Sequence, residues 1–185
     1  MSVAFKEWAI VCEALGAGEQ SIILRKGGLH EGREGFSFKH GEFFLFPTYF
    51  HEQVGRTRLP SSTRIPERRE GEIGIKYFAR VEWTETVTRL ETALGLGAYH
   101  VWNEEVVRER FAYAEAPGVH LAFLRVYRCE PGWGFAEEAR YGGCRSWVTI
   151  PEAPGEMRLT AVLTDEEHAR RGEGLRGVLG GREGE

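Results

Sequence analysis

Three cations, Arg25, Lys26 and Lys39, lie in one stretch with four side chains suited to directional hydrogen bonds, His40, Thr48, His51 and Gln53. Tyr49 and Phe50 add flat apolar faces to the same stretch. Cations beside aromatic rings are what single-stranded nucleic acid binding uses, through phosphate pairing and base stacking. Arg25, Lys26, Lys39, His40, Thr48, Tyr49, His51 and Gln53 are therefore the candidate ligand-binding residues. Their expected partner is single-stranded nucleic acid or another anionic ligand. From Arg25 to Arg69 there are nine Lys or Arg against five Glu, a balance near +4 in a chain whose net charge is −4. A basic segment in an acidic protein points the same way.

Other chemistries fit less well. His51-Glu52 opens like the HExxH zinc motif, but Gly55 stands where the second histidine belongs, so a ligand is missing and no metal site is assigned. Metal-dependent nucleases hold Mg²⁺ through clustered carboxylates. Asp165 is the sole aspartate, and Glu19 precedes Lys26 by too many residues for an ExK motif. A divergent phosphodiester hydrolase using Glu13, Glu19, Glu42 or Glu52 with Lys26 is the alternative reading, and a non-catalytic interaction subunit the third. Cys144, beside Arg145, is a candidate reactive thiol, though a structural role is the expected one. No GxSxG, GxGxxG or GxxxxGK[ST] occurs, and no cofactor is expected.

These residues need elements to position them. Phe5, Trp8, Cys12 and Leu15 fall at helical spacing, predicting a helix from Ala4 to Leu15. Gln20 to Lys26 reads as a strand, and Phe36 and Phe38 alternate as another. Glu42 to Phe46 reads as a third, stopped by Pro47, with a short helix over Tyr49 to Gln53. Gly55 to Gly71 has several arginines and few apolar residues, so 56–71 is expected to be a mobile basic loop. Ile73 to Trp83 alternates as a strand, and Val119 to Arg128 is apolar enough to be a central one. Asn103 should cap a helix over Glu104 to Phe111, and Thr164 with Glu167 makes a capping box. The fold class that results is α+β, a largely antiparallel, curved or barrel-like sheet with several short helices. Residues 1–163 form the domain, and 164–185 a short C-terminal helix and a tail expected to fray from Gly172. Phe36, Phe38, Phe44, Phe46, Tyr77, Val81, Leu121, Phe123 and Trp147 should share one core.

The length suits one domain. Three scattered cysteines exclude a disulfide framework. Apolar runs are too short for a bilayer, and Lys6 and Glu7 interrupt the N-terminal apolar pattern, so a cytoplasmic protein is expected. Gln20, Gln53 and Asn103 are the only side-chain amides. In a chain so poor in amides, each is expected to make a specific hydrogen bond.

The run GEQSIILRKGGL, then GFSFKH and FFLFPTYFHEQ, with HVWNEEVVRERF, LRVYR and SWVTIPE, resembles the bacterial family known as domain of unknown function 1802. That resemblance covers the chain to about Pro151 and implies no activity. The second half is loosely similar to PUA-like modules of the ASCH and EVE types, which implies RNA or modified bases as ligands.

Overall fold

The computed structural model describes residues 1–26, 37–50, 53–113, 117–143 and 145–181. The expectations for Phe36, His51, Glu52 and Cys144 lie outside these residues. In chain order the elements are β1 (Ser2–Trp8), α1 (Ala9–Gly16), β2 (Ile22–Lys26), β3 (Glu42–Thr48), β4 (Glu72–Val87), α2 (Leu90–Gly95), α3 (Glu104–Phe111), β5 (Val119–Ala136), β6 (Trp147–Ile150), β7 (Arg158–Ala161) and α4 (Asp165–Gly180). The fold is α+β.

The strand order is β2-β5-β4-β3-β1-β6, with β7 also paired to β5. Every pairing is antiparallel except β1 with β3. The sheet is curved and stays open. Its two ends nonetheless approach through a side chain, because Arg25 of β2 donates to the carbonyl of Lys6 in β1 at 3.0 Å and to Ser146 Oγ, just before β6, at 3.3 Å. Shifts of register in β4, between Ile75 and Tyr77 and between Val81 and Trp83, strengthen the twist that brings these ends round.

The expected N-terminal helix is in fact a strand followed by a shorter helix. Local spacing favours a helix from Ala4, but β1 lies between β3 and β6, and both ladders override that preference. Paired on both edges, β1 buries Ala4, Phe5, Lys6 and Glu7 in succession. α1 begins only at Ala9 and ends at Gly16, where the Tyr77 ring occupies the space a Cβ would need.

Residues 37–40 form no strand, yet Phe38 still packs on Phe5, with centroids 5.9 Å apart. β3 continues through Pro47 to Thr48. By then β4 has separated from it, so Pro47 sits at an edge, where a missing N–H is tolerated. Tyr49 and Phe50 are not helical, and among the described residues the helical turn that follows is a 3-10 turn at Val54–Arg56.

The expected single core is two. Phe5, Phe43, Leu45, Leu121, Phe123 and Trp102 pack on the helix-covered face, whereas Phe44 and Phe46 join Ile73, Ile75, Tyr141 and Ile150 on the other. A strand between two neighbours buries alternate side chains on opposite faces, so Phe43 and Phe44 cannot share a core. Asn103 caps α3, accepting from Val106 N at 3.0 Å, and the Thr164–Glu167 capping box starts α4. α4 runs past the expected fraying point to Gly180, because Gly172 lets it press against Phe123 and Leu175 is fully buried. No helix among the described residues is long and apolar enough to cross a membrane.

Candidate functional site

The parallel strands β1 and β3 end side by side, and the most unusual polar chemistry of the chain lies at their C-terminal ends. Glu7, the penultimate residue of β1, is 1% exposed. Its Oε1 accepts from Trp8 N at 2.9 Å, while Oε2 is buried with no hydrogen-bond partner among the described residues. Arg110 comes from α3. Its guanidinium stacks 3.9 Å from the Trp102 ring centroid and donates to the carbonyl of Leu24 at 2.6 Å. Arg25 comes from β2 and lies 4.8 Å over Phe5, with its Nε buried and, among the described residues, unpartnered. The indole N–H of Trp102 is likewise buried without a partner among them.

Glu7 and Arg110 sense each other electrostatically, yet among the described residues neither joins an ion pair. Burial pushes the Arg110 guanidinium down to about 10. The Glu7 carboxylate opposes that shift and the Arg25 charge adds to it, so Arg110 remains charged at neutral pH. Because carboxylate and guanidinium do not close on each other, Arg110 relies on the Leu24 carbonyl and the Trp102 ring, and Glu7 Oε2 has no partner among the described residues to offset its desolvation.

Aromatic rings frame these charges. Trp8 meets Trp102 edge-on at 4.6 Å and Phe50 at 4.2 Å, and Phe50 is 36% exposed. Lys26 lies at the exposed side, 3.6 Å over the Tyr113 ring. Arg56 binds Glu109 on α3, and that bond is the main reason the Glu109 carboxyl is held below its usual range. Four cations, Arg25, Lys26, Arg56 and Arg110, thus gather around two carboxylates, Glu7 and Glu109.

The structure divides the sequence candidates. Arg25 and Lys26 belong to this constellation. His40 stacks edge-on against Trp147 at 4.8 Å, and Trp147 touches Phe5 at the same distance, so His40 lies along the same aromatic floor. Lys39 is exposed beside it. Thr48 and Gln53 serve the backbone. Thr48 Oγ1 donates to the Glu7 carbonyl at 3.0 Å, while fully buried Gln53 accepts from Ile10 N and donates to the Thr48 carbonyl. Tyr49 faces elsewhere, toward Arg68 and the gap between β3 and β4. The other two amides are also structural, Gln20 joining Ile22 to Val101 and Asn103 reaching the Gly55 carbonyl.

Glu7, Trp8, Trp102 and Arg110 were not among the candidates. The available signal was the pair Lys6-Glu7 inside an apolar run, a charged interruption that a buried strand retains only with reason. The arginines of 56–71 are largely engaged within the chain. Arg58 donates to the carbonyls of Gly97, His100 and Trp102, and Arg68 pairs with Glu137. Among the described residues no three His, Cys, Asp or Glu side chains gather as a metal site. Cys12 and Cys129 are buried, and burial pushes both thiols up.

The family described as Domain of unknown function (DUF1802) matches residues 4–173, nearly the whole chain. The chain belongs to the DUF1802 family. No curated protein matches this DUF1802 chain. Among solved structures, the ASCH protein of Zymomonas mobilis is similar at 12% identity, with a TM-score of 0.43 over 92% of this chain and 93% of that one. Two point mutants of it are also 12% identical. One has a TM-score of 0.46 over 92% of this chain and 94% of its own; the other has 0.47 over 81% and 90%.

Proposed function

We propose that this DUF1802 protein binds single-stranded nucleic acid, or a nucleotide-like anion, at the constellation of Glu7, Arg25 and Arg110. The observation that carries the reading is the gap between Glu7 and Arg110, two buried charges that do not pair, beside an excess of cations and the rings of Trp8, Trp102 and Phe50. A phosphate offers these guanidiniums the bidentate acceptor that Glu7 does not supply. A base offers a flat face to an exposed ring such as Phe50. Glu7 Oε2 and the Trp102 N–H are a buried acceptor and a buried donor that lack a partner among the described residues, so a ligand edge would have to open the site to reach them.

The test is fluorescence anisotropy with labelled single-stranded RNA and DNA at low salt, followed by a salt titration. Affinity should fall linearly on logarithmic axes as counterions are released. Lys26→Ala, at an exposed position, should weaken binding to all sequences and reduce the salt slope by about 1. Failure to bind any oligonucleotide or mononucleotide at low salt would remove the reading.

A further inference from the structure

β3 and β4 are paired only from Glu42 to Phe44 against Phe78 to Arg80, although β4 begins at Glu72 and β3 continues to Thr48. Between the separated strands, under α1, lies a cavity of about 300 Å³. The sheet itself makes it: β3 leaves its neighbour, β4 slips register between Ile75 and Tyr77, and Gly74 and Gly132 line it without side chains, while the Glu72 carboxylate lies over Gly134. A Cβ added at Gly74 would touch nothing within 4 Å.

The chemistry of the lining selects a ligand. Leu45, Pro47 and Ile75 are apolar, and Tyr49 and Trp133 offer flat faces. Burial, the main cause, pushes the Tyr49 hydroxyl up, so it remains a donor at neutral pH. The charged groups at the rim are three carboxylates, Glu13, Glu67 and Glu72, against Arg69 and Lys76. Glu13 is committed to Lys76 and Tyr77 at 2.8 Å each, and Glu72 lies 3.7 Å from Arg69. Glu67 joins no ion pair among the described residues. An apolar slot with flat walls and a spare carboxylate at its mouth favours a ring bearing a cationic or N–H group and disfavours an anion.

We infer that the β3–β4 fork is a second ligand site, for a small planar molecule carrying an amidine- or amine-type group, distinct from the nucleic-acid site. The cavity lining includes none of Glu7, Trp8, Arg25, Trp102 and Arg110, and the preferred charges of the two sites are opposite.

Three probes of one shape and different charge test it: benzamidine, benzamide and benzoate, titrated into ¹⁵N-labelled full-length protein while the indole N–H of Trp133 is followed by NMR. Benzamidine should bind at least ten-fold more tightly than benzoate, with benzamide between them. Gly74→Leu should abolish binding by filling the slot. Glu67→Lys, at an exposed position that leaves the fold intact, should weaken benzamidine and strengthen benzoate. Silence from benzamidine and benzamide at millimolar concentration would overturn the proposal. So would benzoate binding as tightly as benzamidine, an unchanged preference in Glu67→Lys, or unaltered binding in folded Gly74→Leu. Benzamidine should leave oligonucleotide affinity unchanged, so either site can fail without the other.

Discussion

Gln53 fastens the start of α1 to the end of β3: its Oε1 accepts from Ile10 N at 3.2 Å and its Nε2 donates to the carbonyl of Thr48 at 2.6 Å. The first amides of a helix have no partner within it, and here a glutamine from a distant segment supplies one. The bond matters for Glu7 as well, because Thr48 Oγ1 holds the Glu7 carbonyl. Gln53→Ala orphans the buried Ile10 N–H and should cost about 1–3 kcal/mol. A lower urea midpoint with an unchanged m-value would show this, whereas an unchanged midpoint would mean that water replaces the amide.

The second core makes its own prediction. Phe46 is 3% exposed and packs on Phe135 and Tyr141, on the face away from α1. Truncating a buried phenylalanine leaves a cavity, so Phe46→Ala should destabilise by about 3–5 kcal/mol. Thermal melts should place Phe38→Ala well above it, since Phe38 is only half-buried.

Oligonucleotide binding should separate two neighbouring aromatics. Phe50 lies against Trp8 beside the charged constellation, so Phe50→Ala should weaken binding by about 1–3 kcal/mol, the usual worth of a stacked base. Tyr49 lines the fork instead, and Tyr49→Ala should leave the affinity as it was. The reverse result would move the interface to the fork.

The loop 56–71 offers trypsin unequal targets. Arg56, Arg58 and Arg68 are held by Glu109, by backbone carbonyls and by Glu137, whereas Arg64 has no ion-pair partner among the described residues and Arg69 only an exposed one. Limited proteolysis followed by mass spectrometry should find the first cuts after Arg64 and Arg69. Early cleavage after Arg58 would contradict the anchoring.

His100 should make the fold acid-sensitive. It is 2% exposed, its Nδ1 accepts from Trp102 N at 3.2 Å, and burial, with the charges of Arg58 and Arg110, pushes it down to about 3. The unfolded chain takes up the proton near the ordinary value of 6.5, and the folded chain does not until far lower. The stabilising contribution is therefore complete above pH 6.5 and is lost as pH falls toward 3. Between pH 6.5 and 5 the loss should be roughly 2 kcal/mol. His100→Asn keeps an acceptor without titrating, and urea melts at pH 7, 6 and 5 should show a shallower decline than the parent. Equal slopes would assign the acid sensitivity to other groups.

Local signals were sufficient where an element depends on its own residues. Asn103 and the Thr164–Glu167 pair marked helix starts because a cap acts within one turn. The alternation from Ile73 to Trp83 and the apolar run from Val119 to Arg128 marked the two long strands, because period and burial are written along the chain. Arg25 and Lys26 were legible as candidates for the same reason, as charges closing an apolar strand.

Tertiary structure decided what depends on which strands become neighbours. Phe5, Trp8, Cys12 and Leu15 carry a helical period, yet β1 is a strand because β3 and β6 satisfy both its edges. The same pairing sends Phe43 and Phe44 into separate cores. Glu7, Arg25 and Arg110 meet only because the curled sheet brings β2 round to β1 and α3 packs across the junction. Their separations along the chain are wide, and no periodicity links them. Gln53 shows the limit at one residue: its type announced a specific hydrogen bond, but only the meeting of α1 with β3 determined that the partners are backbone groups rather than a ligand.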